Sequence, residues 1–99
     1  NLAGEVEVRK GEVVSKTLVQ NDALSMTLFA FDKDEEIGKH DSSGDAMVNV
    51  LEGVGIFTVG ENKYEVKAGQ SLIMPAKIPH ALYAKESFKM LLIVVFPSK

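Results

Sequence analysis

The stretch "GQSLIMPAKIPHALYA", residues 69–84, contains the features that decide the fold. Gly69 is suited to ending a hairpin, and Pro75 and Pro79 bracket a rigid turn, because a proline fixes its own φ and restricts the residue before it. His80 follows this turn directly and starts the extended segment "HALYA", in which alternate residues share one face. The other residues of that face are apolar, so the pattern predicts an inward-facing histidine. Such a histidine needs hydrogen-bond partners or a metal.

The chain has only one other histidine, His40, which lies in "EIGKHDSSGDAMVNVLEG", residues 36–53. It precedes a polar loop, residues 41–45, and an alternating apolar segment, residues 46–51, that indicates a strand. Taken alone, His40 has the character of a loop histidine, and His80 that of a satisfied core histidine. The two together raise the question of whether they form a single site.

Length and composition define the class of protein. The 99 residues predict one domain spanning residues 1–99, and the 45% hydrophobic and 25% charged residues are typical of a globular chain. The net charge of −3 provides no basic surface for nucleic acid, so we expect no nucleic-acid partner. The absence of cysteine excludes disulfides, a thiolate zinc site and a cysteine nucleophile.

No segment of the sequence predicts membrane association. The longest apolar run, "MLLIVVF" at residues 90–96, is much shorter than the roughly 20 residues needed to span a bilayer. No signal-peptide pattern opens the chain, so we expect a cytoplasmic protein. The first residue is Asn1 rather than Met, which leaves room for a longer natural N-terminus.

The pattern along the chain predicts an all-β fold. Short segments rich in β-branched residues alternate with Gly, Asp, Asn and Pro, and no window gives an amphipathic helix longer than two turns. We expect eight to ten antiparallel strands arranged as a sandwich or barrel, because the connections are too short for helical crossovers. Segments with strand character include residues 5–8, 12–20, 23–31, 46–51 and 89–95, whereas the charged stretch at 32–36 indicates a solvated loop.

The segment around His80 resembles the second motif of the cupin superfamily, G-x5-P-x-G-x2-H-x3-N. Gly69, Pro75 and His80 stand at the motif's spacing. Lys77 replaces its second glycine and Ala84 its asparagine.

The segment around His40 resembles the first cupin motif, G-x5-H-x-H-x3-4-E-x6-G, in part. His40 matches the first histidine and Gly53 the closing glycine. Asp34 stands at the opening glycine, Ser42 at the second histidine and Ala46 at the glutamate.

The resemblance, which covers roughly residues 23–95, implies a jelly-roll β-barrel (a double-stranded β-helix) that forms a homodimer. It also implies a metal held by three histidines and a glutamate, of which His40 and His80 remain as metal ligands. Two imidazoles make a weak, open site for Zn, Ni, Fe or Mn. Ser42 and Asp45 are further candidates for the pocket.

Three functions are consistent with this sequence. The first is a barrel that binds a small-molecule ligand, with weak divalent-metal binding through His40 and His80. The second is a metal-dependent enzyme of the oxygenase or isomerase type with a reduced ligand set, although no catalytic residue can be named. The third is a structural module that dimerises.

Overall fold

The computed structural model describes residues 1–97 and is built almost entirely from antiparallel strands, as predicted. Within these residues, no helix is long and apolar enough to cross a membrane. The nine strands are β1 (Val13–Gln20), β2 (Leu24–Phe31), β3 (Glu36–His40), β4 (Asp45–Glu52), β5 (Val54–Val59), β6 (Asn62–Lys67), β7 (Ser71–Met74), β8 (His80–Ala84) and β9 (Phe88–Val95).

The strands form two sheets in the jelly-roll arrangement of cupins. A five-stranded sheet has the order β1-β2-β9-β4-β7, and a four-stranded sheet has the order β3-β8-β5-β6. Every pairing is antiparallel, and no ladder joins the two sheets within residues 1–97. The fold is therefore a pair of facing sheets rather than a fully closed barrel.

The core lies between the two sheets and is centred on three buried aromatic rings. The rings of Phe31 and Phe88 are stacked, with centroids 4.6 Å apart and planes 5° from parallel. Phe57 reaches Phe88 from the opposite sheet with its ring edge-on. Because the inward residues of β4 and β9 alternate with outward ones, both strands contribute to this core on one face only.

The predicted strand at Glu5–Val8 is wrong. A 3₁₀ helix, Leu2–Glu5, is followed by an extended segment that joins no sheet. The alternation of valines has a different cause: Val6 is buried against Leu28 and Leu91 on the outer face of the five-stranded sheet. An alternating pattern shows that one face is buried, and it leaves unspecified whether the backbone pairs with a neighbouring strand.

Strand β3, which contains His40, was not predicted from the sequence. The charged stretch at residues 32–36 is a turn that ends where β3 begins at Glu36. This strand forms an edge of the four-stranded sheet and is largely exposed, so it lacks the apolar alternation of a strand with one buried face. As an edge strand, it places His40 beside β8.

Two of the positions that depart from the cupin motifs keep the backbone conformation of glycine. Asp34 has φ 72° and Lys77 has φ 65°, and both stand where the motifs have glycine. This left-handed region is unfavourable for a side chain with a Cβ atom, although Asp tolerates it better than Lys. Asp34 also accepts a hydrogen bond from the Tyr83 hydroxyl. The turns of the fold are therefore preserved without the glycines.

Candidate functional site

The fold brings His40 and His80 together, as the resemblance implied. The two residues are partners in the pairing of β3 with β8, and their ring centroids lie 4.2 Å apart with the planes at 68°. His80 is only 6% exposed, whereas His40 is exposed. The pair therefore extends from the protein interior to solvent at one end of the sandwich.

Each imidazole is oriented by the backbone in the same way. The Nδ1 atom of His40 lies 2.8 Å from the Gly38 carbonyl oxygen, and that of His80 lies 3.4 Å from the Ile78 carbonyl oxygen. Because a carbonyl oxygen can only accept, Nδ1 carries the proton and donates it in both rings. Neither Nε2 atom has a hydrogen-bond partner among residues 1–97. Two basic nitrogen atoms are thus left for a ligand.

Burial lowers the pKa of His80, and the neighbouring His40 lowers it further. A weaker opposing effect comes from the negative charge of Asp41 and from the hydrogen bond to the Ile78 carbonyl. At neutral pH His80 is therefore uncharged, and its Nε2 atom keeps the lone pair that can accept a hydrogen bond or bind a cation.

We expect the protein to become less stable as the pH falls through the range just below the ordinary histidine pKa. The unfolded chain binds a proton at about pH 6.5, whereas folded His80 binds it only at lower pH, so stability rises with pH between the two values. Urea unfolding with a chelator at about pH 5.5 and about pH 7.5 measures the difference. His80→Gln should reduce this pH dependence, and an unchanged slope in that variant would contradict the assignment.

The two other candidates, Ser42 and Asp45, bind the backbone of the loops near the histidines. The Ser42 hydroxyl donates to the Gly44 carbonyl at 2.7 Å and accepts from the Gly44 N–H at 3.2 Å. The Asp45 carboxylate accepts from the Ala76 N–H at 2.8 Å, and the Lys77 N–H donates to the Ser42 carbonyl at 2.8 Å. Both side chains therefore help to position the loops, and these contacts join the first cupin motif to the second.

The residues present do not fit the four-ligand metal site that the resemblance implies. Ala46, at the position of the glutamate, is buried on the inner face of β4 and presents only a methyl group. Ser42 is held in its own turn. Within residues 1–97, no three His, Asp or Glu side chains are grouped so that they could hold a metal ion. Two imidazoles remain as possible ligands.

Comparison with known proteins agrees with the motifs and the fold. A family model for the cupin domain matches residues 27–96 of the chain. The chain belongs to the cupin domain family. The region that the family model matches begins within β2 and continues to the end of β9, so this region includes both histidines. No curated protein matches the chain significantly.

Several solved structures are closely similar to this chain. A conserved protein of unknown function from Streptococcus pyogenes is 48% identical with a TM-score of 0.96, and the match covers 100% of this chain and 87% of that one. A cupin superfamily protein from Desulfitobacterium hafniense is 31% identical with a TM-score of 0.94, covering 97% and 88%. A cupin 2 conserved barrel domain protein from Leptotrichia buccalis is 47% identical with a TM-score of 0.94, covering 96% of this chain and 46% of that one.

Proposed function

We propose that this cupin binds a small molecule over His40 and His80. The observation that carries the proposal is the pair of adjacent imidazole rings, in each of which Nε2 is left as an acceptor by the hydrogen bond that Nδ1 makes to the backbone. A small-molecule site typically has a few precisely placed polar groups beside an apolar wall. Here His80 shares the inner face of β8 with the apolar residues Leu82 and Ala84.

The chemistry of the site defines the ligand that it favours. The Nε2 atom of each ring has no hydrogen-bond partner among residues 1–97, and His80 is uncharged at neutral pH, so the favoured ligand carries hydrogen-bond donors such as hydroxyl or amino groups. Its remaining surface is expected to be apolar, since the inward residues around the pair are apolar. An anionic ligand would gain little here, because the lowered pKa of His80 opposes the charge that would attract it.

A thermal-shift screen of metabolites against the wild type, His40→Ala and Lys39→Ala tests this proposal. His40 is exposed, so its truncation should leave the fold intact. A ligand that binds the pair should raise the melting temperature of the wild type and of Lys39→Ala, and its effect should be lost in His40→Ala. A ligand that stabilises all three proteins equally binds elsewhere, and that result would contradict the proposed site.

Weak binding of Zn, Ni, Fe or Mn through His40 and His80 is a second candidate property. It is supported by the Nδ1–carbonyl hydrogen bonds, which orient imidazoles as they are oriented in metal sites. A metal-dependent enzyme of the oxygenase or isomerase type is the corresponding alternative function, and it would have to work with this reduced ligand set. Metal analysis of protein purified without chelator or nickel resin separates the two, because only the enzyme requires near-stoichiometric metal that His40→Ala removes.

We also propose that the protein is cytoplasmic. A separate proposal is that it forms a homodimer through the outer face of the five-stranded sheet. Met47 is the register partner of both Ile73 and Ile93, so these side chains lie side by side on three adjacent strands. Together with Val95 they line a cleft of about 220 Å³. We call Met47, Ile73, Ile93 and Val95 the apolar face. Ile73 and Val95 are 57% and 56% exposed, and a second copy would cover them.

A further inference from the structure

A second concave surface lies on the outside of the four-stranded sheet, on the face opposite to His80. Its volume is about 330 Å³, within the range of small-ligand sites. Along β8 the residues alternate, so that His80 and Leu82 point inward while Ala81 and Tyr83 line this surface. We call it the outer cleft, and its main lining residues are Glu36, Ile56, Thr58, Lys63, Ala81 and Tyr83.

Strand register arranges the lining residues in two rows across the sheet. Tyr83 pairs with Glu36 on one side and with Ile56 on the other, which forms the first row. Thr58 pairs with Ala81 and with Lys63, which forms the second. Each row crosses three strands and the two rows together include all four, so the cleft runs from one edge of the sheet towards the other.

An irregularity in β3 lies at the end of the cleft near Glu36. The register of β3 on β8 shifts between Ile37 and His40, so β3 has an extra residue at this point. Gly38 lies within the irregular stretch, and a Cβ atom added there would meet no atom within 4 Å. Bulges of this kind often lie next to binding sites. The space beside Gly38 is therefore open to a ligand.

The two ends of the outer cleft carry opposite charges. Glu36 is on edge strand β3 and Lys63 on edge strand β6, and neither forms an ion pair within residues 1–97. Lys85 and Glu65, by contrast, form an ion pair with each other, with Nζ and Oε1 2.6 Å apart. Three strand spacings, about 14 Å, separate the edge strands. A ligand with a positive group at one end and a negative group at the other matches this arrangement.

The ring of Tyr83 gives the outer cleft a fixed apolar wall. It is 37% exposed, and its hydroxyl is held by the Asp34 carboxylate. That hydrogen bond also raises the pKa of Tyr83, so the side chain stays neutral. With Ile56 and Ala81 beside it, the ring offers a contact surface for small apolar side chains.

We propose that the outer cleft binds a short, extended peptide of about three residues, because three extended residues span about 10–11 Å and the Glu36 and Lys63 side chains are long enough to cover the rest of the distance between the edge strands. The peptide's ammonium group lies at Glu36 and its carboxylate at Lys63. Its side chains contact the ring of Tyr83. This site is separate from the one over His40 and His80, since the two lie on opposite faces of the four-stranded sheet.

Titration of ¹⁵N-labelled protein with trialanine tests the proposal, with N-acetylated trialanine and trialanine amide as matched ligands. We expect millimolar affinity, with amide shift changes at the lining residues and none at His80. Acetylation should weaken binding to the wild type about three- to fivefold and leave binding to Glu36→Gln unchanged, as for an exposed ion pair. Amidation should likewise weaken binding to the wild type about three- to fivefold and leave binding to Lys63→Ala unchanged. Lys85→Ala should bind all three peptides as the wild type does.

Three results would overturn this assignment. The first is the absence of shift changes at the outer cleft with trialanine. The second is an equal effect of acetylation on the wild type and on Glu36→Gln. The third is a response of the cleft to an uncharged sugar such as maltose without a response to trialanine. Since His40→Ala removes only the site proposed above, its binding of trialanine should equal that of the wild type.

Discussion

Gly53→Ala is expected to lower the free energy of unfolding by more than about 4 kcal/mol, which is a large part of the total stability of a small domain. Gly53 has φ 77°, and an added Cβ atom would lie 2.0 Å from the Ser87 carbonyl oxygen and 2.8 Å from the Phe88 Cα atom. Both neighbours are backbone atoms, so relief requires β9 to move. Such a movement would displace the ring of Phe88 from the core.

Gly69→Ala is the matched control for this prediction. Gly69 has φ 87°, yet an added Cβ atom would meet nothing within 4 Å. Its substitution should cost only the conformational strain of a left-handed residue, about 1–2 kcal/mol. Urea unfolding followed by circular dichroism compares the two variants. Equal losses of stability would show that the contacts with Ser87 and Phe88 are unimportant, and failure of Gly53→Ala alone to fold would support the prediction.

The same two glycines explain why much of this fold could be predicted from the sequence. Gly53 and Gly69 stand at fixed distances from His40 and His80, and each position demands a backbone conformation that other residues avoid. Turn residues of this kind determine where strands end, and the alternating apolar residues determine which face of each strand is buried. These two signals together predict paired antiparallel strands and the inward orientation of His80, whereas the jelly-roll arrangement was implied by the resemblance to the cupin motifs.

Strand β3 and the N-terminal segment could not be predicted from hydrophobic periodicity, because burial and strand pairing do not coincide in either. Strand β3 is almost wholly exposed, and only its pairing with β8 makes it a strand. The N-terminal segment has the opposite property, since Val6 is buried although the segment pairs with no strand. Hydrophobic periodicity reports burial, and in both places burial and strand pairing occur separately.

The details of the site depend on backbone positions that no sequence motif specifies. The free Nε2 atoms of His40 and His80 result from the carbonyl groups of Gly38 and Ile78, which any residue could supply. The sequence indicates the pair of histidines, but which ring nitrogen carries the proton depends on the position of these carbonyl groups in the folded chain. The outer cleft was not predicted for a similar reason, because its lining residues come from four strands and are brought together only by register.

Ile73→Lys is expected to convert the proposed homodimer to a monomer, with a rise in the dimer dissociation constant of at least about 100-fold. Ile73 lies on the apolar face beside Met47, where its side chain is 57% exposed in the single chain. A two-fold interface contains each substituted residue twice, so two unpaired ammonium groups would be desolvated in one contact. Sedimentation equilibrium at micromolar concentration measures the change directly.

Ile78→Lys is the matched control, because this isoleucine is also exposed, at 40%, but lies in the turn before β8, beside Gly60 and away from the apolar face. It should leave the association unchanged, since its charge stays in water. A wild type that is monomeric at micromolar concentration would refute the proposed interface. Equal dissociation by both lysine variants would also refute it, because a general increase in positive charge, rather than burial at the apolar face, would then be the cause.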